Sequence, residues 1–361
     1  MLNKYFKIYW IQGLESFVVT GFLYTLSSYF FKKQINLGEL FLAEALATAL
    51  IVVYIVFKGV FHTRSDMQLG MVLICISLVI LFFPFSRNFF YIYTAFRAIG
   101  HIIFYIPYNI IYFNNTKQDK KLQGMAWYFA VGIISGIVGP VVGGYLLELN
   151  FALFTVVALI VMGAAGILTF HVPQESFTYS VKGVFGKIKN LRTINIMDGM
   201  LQKTMVITTT FALLYISSAF EYGLFLSFTA IVAMIGSLYL AKVSDLTKRR
   251  MIFMIPLCLA CGGVILLFPF AKTFLPFVIL IIILKLFLVL ADPVRANVIQ
   301  DSMPHEPVNW ISREMFINLG RSILFLIAYL CMRFNWSAGI FLFMALLHFI
   351  YPFLIRHKKI Y

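Results

Sequence analysis

Residues 149–174, LNFALFTVVALIVMGAAGILTFHVPQ, run for a full 26 positions without a charged side chain. A helix rises 1.5 Å per residue, so about 20 apolar residues carry a chain across the hydrocarbon core of a bilayer. Residues 67–86, 222–241, 251–271 and 334–355 are equally free of charge. These runs are continuous, without the apolar–polar alternation of a membrane β-barrel. Composition agrees: the 361 residues are 61% hydrophobic and 12% charged, against about 25% charged in an ordinary soluble domain. The sequence therefore reads as an all-α polytopic membrane protein.

Dividing the apolar runs at clusters of charge and turn residues gives twelve predicted spans, near 8–30, 38–60, 67–86, 89–112, 124–148, 150–170, 195–217, 221–241, 251–271, 274–295, 312–332 and 335–355. The first, second and seventh carry Glu15, Glu44 and Asp198 within them. With the N-terminus cytoplasmic, the inner connections and both termini hold most of the basic residues. Only Lys32, Lys33, Arg87, Lys272 and Arg333 fall outside, and Arg97, Lys285 and Arg321 lie within spans. That asymmetry predicts a multi-pass protein of the plasma (cytoplasmic) membrane with both termini inside. It also accounts for the net charge of +15 without a nucleic-acid partner. Lys4 and Lys7 precede a long first segment with no small-residue cleavage site, which argues against a cleavable signal peptide. Cys75, Cys258, Cys261 and Cys331 all fall in apolar runs; the Cys258–Cys261 pair has no second pair or nearby His, so no metal site is expected.

The longest connection lies inside, in mid-chain. Within it Val181, Val184, Phe185, Ile188 and Leu191 recur at helical spacing between Lys182, Lys187, Lys189 and Arg192. The pattern predicts an amphipathic helix on an anionic membrane surface; a solvated basic linker is the alternative. The sequence on either side repeats weakly at one offset. Leu26-Ser-Ser-Tyr-Phe30 matches Ile216-Ser-Ser-Ala-Phe220, and Gln12-Gly13 matches Asp198-Gly199. The expected organisation is a six-helix bundle over 1–170, an amphipathic linker over 171–194, and a second bundle over 195–361. An even number of helices per repeat makes the repeats parallel.

This arrangement resembles the major facilitator superfamily of secondary transporters, over the whole chain. Residues 241–250, AKVSDLTKRR, are similar to the family's loop motif G-x-L-a-D-R-x-G-R-R, with Asp245 at the acidic position and Arg249 and Arg250 at the basic end. Leu246 and Lys248 depart from it, and the matching place in the first half has Thr63 where the family has Asp. Arg97 matches an intramembrane Arg of the family's fourth helix, with His101 where a Gly would stand. Gly139-Pro140-Val-Val-Gly143-Gly144, preceded by Gly136, is similar to the G-P-x-x-G-G pattern in the fifth helix of family antiporters. Small residues let membrane helices approach closely, and Pro140 would bend the helix. The resemblance implies two bundles rocking about a central site, with export by antiport favoured over uptake by symport.

An ionisable group at bilayer depth costs at least about 2.5–3.5 kcal/mol and marks a candidate functional site. In the resembled family the first, fourth, seventh and tenth helices line the cavity, which selects Glu15, Arg97, His101, Asp198, Gln202 and Lys285. Arg97, His101, Gln202 and Lys285 are the candidate substrate contacts; Glu15, His101 and Asp198 are candidates for proton coupling. Two cations at similar depth, Arg97 and Lys285, would suit an anionic solute. The competing reading pairs each with an acid, such as Glu15 with Arg97. The 39 Phe and 19 Tyr would suit an amphipathic solute or simply face lipid. No H-E-x-x-H or phosphate-binding glycine loop occurs, so neither intramembrane proteolysis nor ATP-driven transport is expected. The outer connections are too short to hold the acidic loop of a lipid-linked transferase. The expectation is a non-enzymatic, monomeric transporter without cofactor or metal, taking a small-molecule substrate and a coupling proton. A receptor or membrane enzyme on the same scaffold is the other class.

Overall fold

The computed structural model describes the backbone of residues 2–115, 121–244, 250–302 and 306–358, and the side chains among them outside 2–7, 113–130, 236–250, 293 and 297–301. It is almost wholly helical. Helix α1 (Leu2–Ser16) continues through a π-helical turn (Phe17–Gly21) and a 3-10 turn (Phe22–Thr25) into α2 (Leu26–Lys32). Then come α3 (Leu37–Lys58), a short strand β1 (Val60–His62), α4 (Thr63–Ile80), α5 (Arg87–Asn115), α6 (Lys121–Leu149) and α7 (Phe151–Thr169). The connection holds β2 (Ser176–Thr178) and α8 (Val181–Lys187). The remainder is α9 (Arg192–Thr210), α10 (Ala219–Ser244), α11 (Arg250–Ile265), α12 (Phe274–Asp301), α13 (Pro307–Arg333) and α14 (Ser337–His357).

Every predicted span overlaps helical structure. Among the described residues, 9 helices are long and apolar enough to cross a membrane. The eighth contributes a shorter apolar helix, Ala219–Ile235, among the described residues, and the first and seventh predicted spans fall short of that standard for physical reasons. The first is interrupted by its π and 3-10 turns, and α9 carries Asp198, Gln202, Lys203 and five threonines among its 19 residues.

Helix ends follow local chemistry. Asn36 caps α3 with a capping box: its Oδ1 accepts from Glu39 N at 2.9 Å while Glu39 Oε2 accepts from Asn36 N at 3.0 Å. Two free backbone amides are thereby satisfied. At the other end Gly59 adopts φ 72°, a left-handed conformation that terminates a helix at little cost only for glycine.

Two helix pairs join the chain before the connection to the chain after it. One is α3 with α13, held along its length by Gly38 against Met332, by Ser322 Oγ donating to Ala45 O at 2.9 Å, and by Phe41 against Phe325. The other is α6 with α10. Here the stretch Gly136–Gly144 shows two faces. Gly139 and Gly143 abut the backbone of Phe17–Phe22, where a Cβ on Gly139 would come 2.7 Å from Gly21 Cα. Gly136, Pro140 and Gly144, four residues apart, face α10: a Cβ on Gly144 would lie 2.5 Å from Ala219 O, and one on Gly223 2.2 Å from Pro140 O. Pro140 sits inside an uninterrupted α6.

The connection itself is built in. β1 and β2 pair antiparallel, Phe61 opposite Phe177, and Thr63 N donates to Glu175 O at 2.9 Å. Thr63, standing where an Asp was expected, accepts from Glu175 N through its hydroxyl at 2.8 Å. Asp66 supplies the carboxylate instead, taking Lys58 Nζ and His62 N, each at 2.6 Å. The apolar stripe of α8 and the turn after it is divided: Val181 and Phe185 are exposed, and the other three face protein. Val184, Ile188 and Leu191 are buried in a cluster with Ile51 and Ile55 of α3, Ile102 of α5, and Trp310 and Met315 of α13. Ser312 Oγ donates to Val184 O. A protein groove offers these side chains closer packing than lipid headgroups do, while Lys182 and Lys189 stay exposed.

The α6–α10 contact leaves no room for a methyl group. Gly223→Ala is expected to cost about 1–3 kcal/mol by overpacking and to lower the melting temperature in detergent. Gly132→Ala, where no atom lies within 4 Å of the added Cβ, should not. Equal melting of the two variants would refute the close approach.

Candidate functional site

The charged cluster starts from two glycines. A Cβ on Gly199 of α9 would fall 2.1 Å from Ile317 O, and one on Gly320 of α13 would fall 1.9 Å from Ile196 O. Backbone contact at these points brings the polar face of α9 onto α13. Asp198 meets Arg295 Nε at 3.3 Å and Arg313 Nη2 at 3.7 Å, and Arg295 also meets Asp292 at 2.8 Å. Arg313 continues to Glu314 at 3.2 Å. Gln202 joins the cluster from one turn further along α9. Its Nε2 donates to Asp198 Oδ2 at 2.8 Å, and its Oε1 accepts from Arg321 Nη2 at 2.6 Å. Arg321 also donates to Asn318 Oδ1 at 3.0 Å, but its buried Nε has no hydrogen-bond partner.

A second group lies between α3 and α5. Arg97 Nη2 pairs with Glu44 Oε1. The pair borders a small pocket, part of it open to solvent, walled by Tyr24, Phe41, Tyr93 and Phe325. Val206 and Thr210 of α9 close its far side, so the pocket is lined from both ends of the sequence. Lys203 lies within electrostatic reach of Arg321, Glu44 and Arg97.

The third group is a polar seam between α1 and α5. Tyr9 and Tyr112 hydroxyls meet at 3.1 Å, Tyr108 OH donates to Gln12 Oε1 at 2.8 Å, and the Ser16 and Tyr105 hydroxyls meet at 2.9 Å. At its deep end Glu15 Oε1 meets His101 Nδ1 at 2.6 Å. The Glu15 side chain is fully buried, and its second oxygen has no hydrogen-bond partner among the described residues. His101, a quarter exposed, connects it to open space. Residues three and four apart share a helix face, which is why His101, Tyr105, Tyr108 and Tyr112 form one column facing α1.

The pairing of Glu15 with Arg97 considered from the sequence is not formed: Glu15 takes His101 and Arg97 takes Glu44. Arg97 lines the pocket, and Lys285 is not among the residues that do. Lys285 makes no ion pair within 4 Å among the described residues, and the acid that acts on it is Asp292. Glu44, Lys203, Arg295, Arg313 and Arg321 join the site without having been selected as site residues. Their signal was present, since each is a charge inside or beside an apolar run, but helix spacing says which residues share a face and not which helix they face. Asp245 and Arg249 lie outside the described residues, as does the side chain of Arg250.

A family profile described as Major Facilitator Superfamily matches residues 8–309. Solved structures share the fold across nearly the whole chain at low identity. A POT family transporter in complex with a thioalcohol-conjugated peptide aligns with a TM-score of 0.71 at 12% identity, covering 98% of this chain and 96% of that one. The human organic anion transporter MFSD10 (TETRAN) aligns at 0.69 and 11% identity, covering 98% and 99%. A D-xylose–proton symporter aligns at 0.67 and 12% identity, covering 97% of each chain. A search of curated protein sequences returns no match.

Removing one partner of a partly buried ion pair leaves the other charge uncompensated. In a double-mutant cycle, Glu44→Ala and Arg97→Ala are expected to show a coupling of about 1–3 kcal/mol in thermal unfolding of the purified protein. Additive effects would mean that the two side chains do not interact.

Proposed function

The chain belongs to the Major Facilitator Superfamily, and from that premise we propose that it is a secondary active transporter moving a small organic solute, anionic or amphipathic, by alternating access. Twelve helices cross the plasma membrane in two six-helix bundles, 1–170 and 195–361, with both termini cytoplasmic and the linker on the inner side. The protein works as a monomer, without cofactor, and protons drive it. The observation that carries this reading is the separation of two polar centres. The Arg97–Glu44 pair borders a pocket lined from both bundles, while Glu15–His101 lies on a seam internal to the first bundle. A solute bound at one centre and a proton at the other can each be released to either side as the bundles rock.

Arg97 and Gln202 contact the solute. Glu15 and His101 carry the proton: the carboxylate is fully buried and its imidazole partner is partly open. Asp198, ion-paired to Arg295 and Arg313, ties α9 to α12 and α13, and Lys285 leans on Asp292 in α12. A proton symporter among the similar structures is in keeping with proton coupling on this fold. Direction rests on α6: its Gly136, Pro140 and Gly144 face packs on α10 of the other bundle, in the pattern that family antiporters carry. Export in exchange for protons follows.

In proteoliposomes with an imposed pH gradient, screened against labelled organic anions, Glu15→Gln should abolish gradient-driven flux and spare counterflow exchange. Arg97→Ala should lose both. Gradient-driven flux that survives Glu15→Gln unchanged would overturn proton coupling through this residue.

A further inference from the structure

The charges around the central pocket do not balance. Six cations, Arg97, Lys203, Lys285, Arg295, Arg313 and Arg321, stand among four acids, Glu44, Asp198, Asp292 and Glu314. The acids are occupied. Glu44 is taken by Arg97, Asp198 by Arg295 and Arg313, Asp292 by Arg295, and Glu314 by Arg313. Three cations are left without an acid in contact among the described residues: Lys285, on which Asp292 acts, and Lys203 and Arg321, which stand beside the pocket. Lys203 makes no ion pair or hydrogen bond with a described side chain. Among the described residues Arg321 is held by the neutral amides of Gln202 and Asn318, with its Nε–H buried and without an acceptor. A buried donor of this kind is costly unless something accepts from it.

Both cations stand beside the pocket, on helix faces that continue into its wall, though neither is among the residues that line it. Lys203, Val206 and Thr210 lie on one face of α9, at i, i+3 and i+7, and the last two line the pocket. Arg321 and Phe325 are one turn apart on α13, and Phe325 lines it too. Beyond them the walls are aromatic: Tyr24, Phe41 and Tyr93.

We propose that this pocket binds an organic dianion with an apolar body, its two negative charges held between Lys203 and Arg321 and its body lying against Tyr24, Phe41, Tyr93 and Phe325. The inference rests on the transporter reading and narrows its substrate class. A phosphate monoester and a dicarboxylate both present this chemistry. A doubly charged group matches the excess of two cations, and planar guanidinium recognises either oxygen pair in bidentate fashion.

The test is binding to the purified full-length protein in phosphate-free buffer, by thermal shift and calorimetry. The probes are phenyl phosphate, phthalate, benzoate and inorganic phosphate. Phenyl phosphate or phthalate should bind at least about tenfold tighter than benzoate and than inorganic phosphate, and whichever of the two prevails identifies the ester or the dicarboxylate. Lys203→Gln and Arg321→Gln should each weaken that binding at least about tenfold, with Lys203→Arg largely retaining it and the exposed Lys182→Gln without effect. Unliganded melting curves verify that each variant is folded. Benzoate binding as tightly as both dianions, no binding of either dianion, or binding that survives both Gln variants would overturn the proposal. Flux of a solute with no dianion binding would sink the dianion class and leave transport standing. Dianion binding without flux of the bound probe under any gradient would do the reverse.

Discussion

A charge at bilayer depth has no water to face, so it must find a partner, a pocket or a neutral form. That constraint organises the centre of this protein. Asp198 alone engages arginines from α12 and α13, so one carboxylate on α9 fixes three helices relative to one another. Gln202 extends the same network by one turn to Arg321 without adding charge. Glu44 and Arg97 do the corresponding work between α3 and α5. Lys203 and Arg321, which have no acid in contact among the described residues, stand next to the helix positions that line the pocket, Val206 and Thr210 on α9 and Phe325 on α13.

Close backbone approach is what allows these charges to meet. Gly199 and Gly320 let α9 and α13 touch main chain to main chain, so side chains one residue away, at Asp198 and Arg321, reach into a shared network. Helices in lipid gain little from burying apolar surface against one another, and van der Waals contact between small residues takes over that role. The same device recurs where α6 meets α10, there with Pro140 O against Gly223. One contact gathers polar groups, and the other joins the two parts of the chain through an apolar seam.

The apolar spans were legible in the sequence, because a run of 20 uncharged residues is rarely stable anywhere but inside a bilayer. The glycine-rich stretch of α6 was legible as a packing surface, though not its two faces, which depend on which neighbours lie to either side. The charged residues were visible individually. Their partners were not: Glu15 and Arg97 each find a closer partner, in His101 and Glu44. The pairing of β1 with β2 left almost no trace, since three-residue strands carry too little pattern to register. The apolar stripe of α8 was visible, but amphipathicity fits a membrane surface and a protein groove equally well. The groove formed by α3, α5 and α13 exists only in the folded chain.

The built-in connection divides at a definite point. Residues 172–179 bond to β1, to the first turn of α4 and to α3, with Tyr179 OH on Ile55 O at 2.6 Å, whereas α8 bonds to α13. Between them lies only Ser180, which caps α8 through Gly183 N at 3.0 Å. The peptide bond between Tyr179 and Ser180 is thus a natural seam. Two fragments divided there would meet again through α8 and the turn after it, whose Val184, Ile188 and Leu191 pack against α3 and α5 of the first fragment as well as α13 of the second.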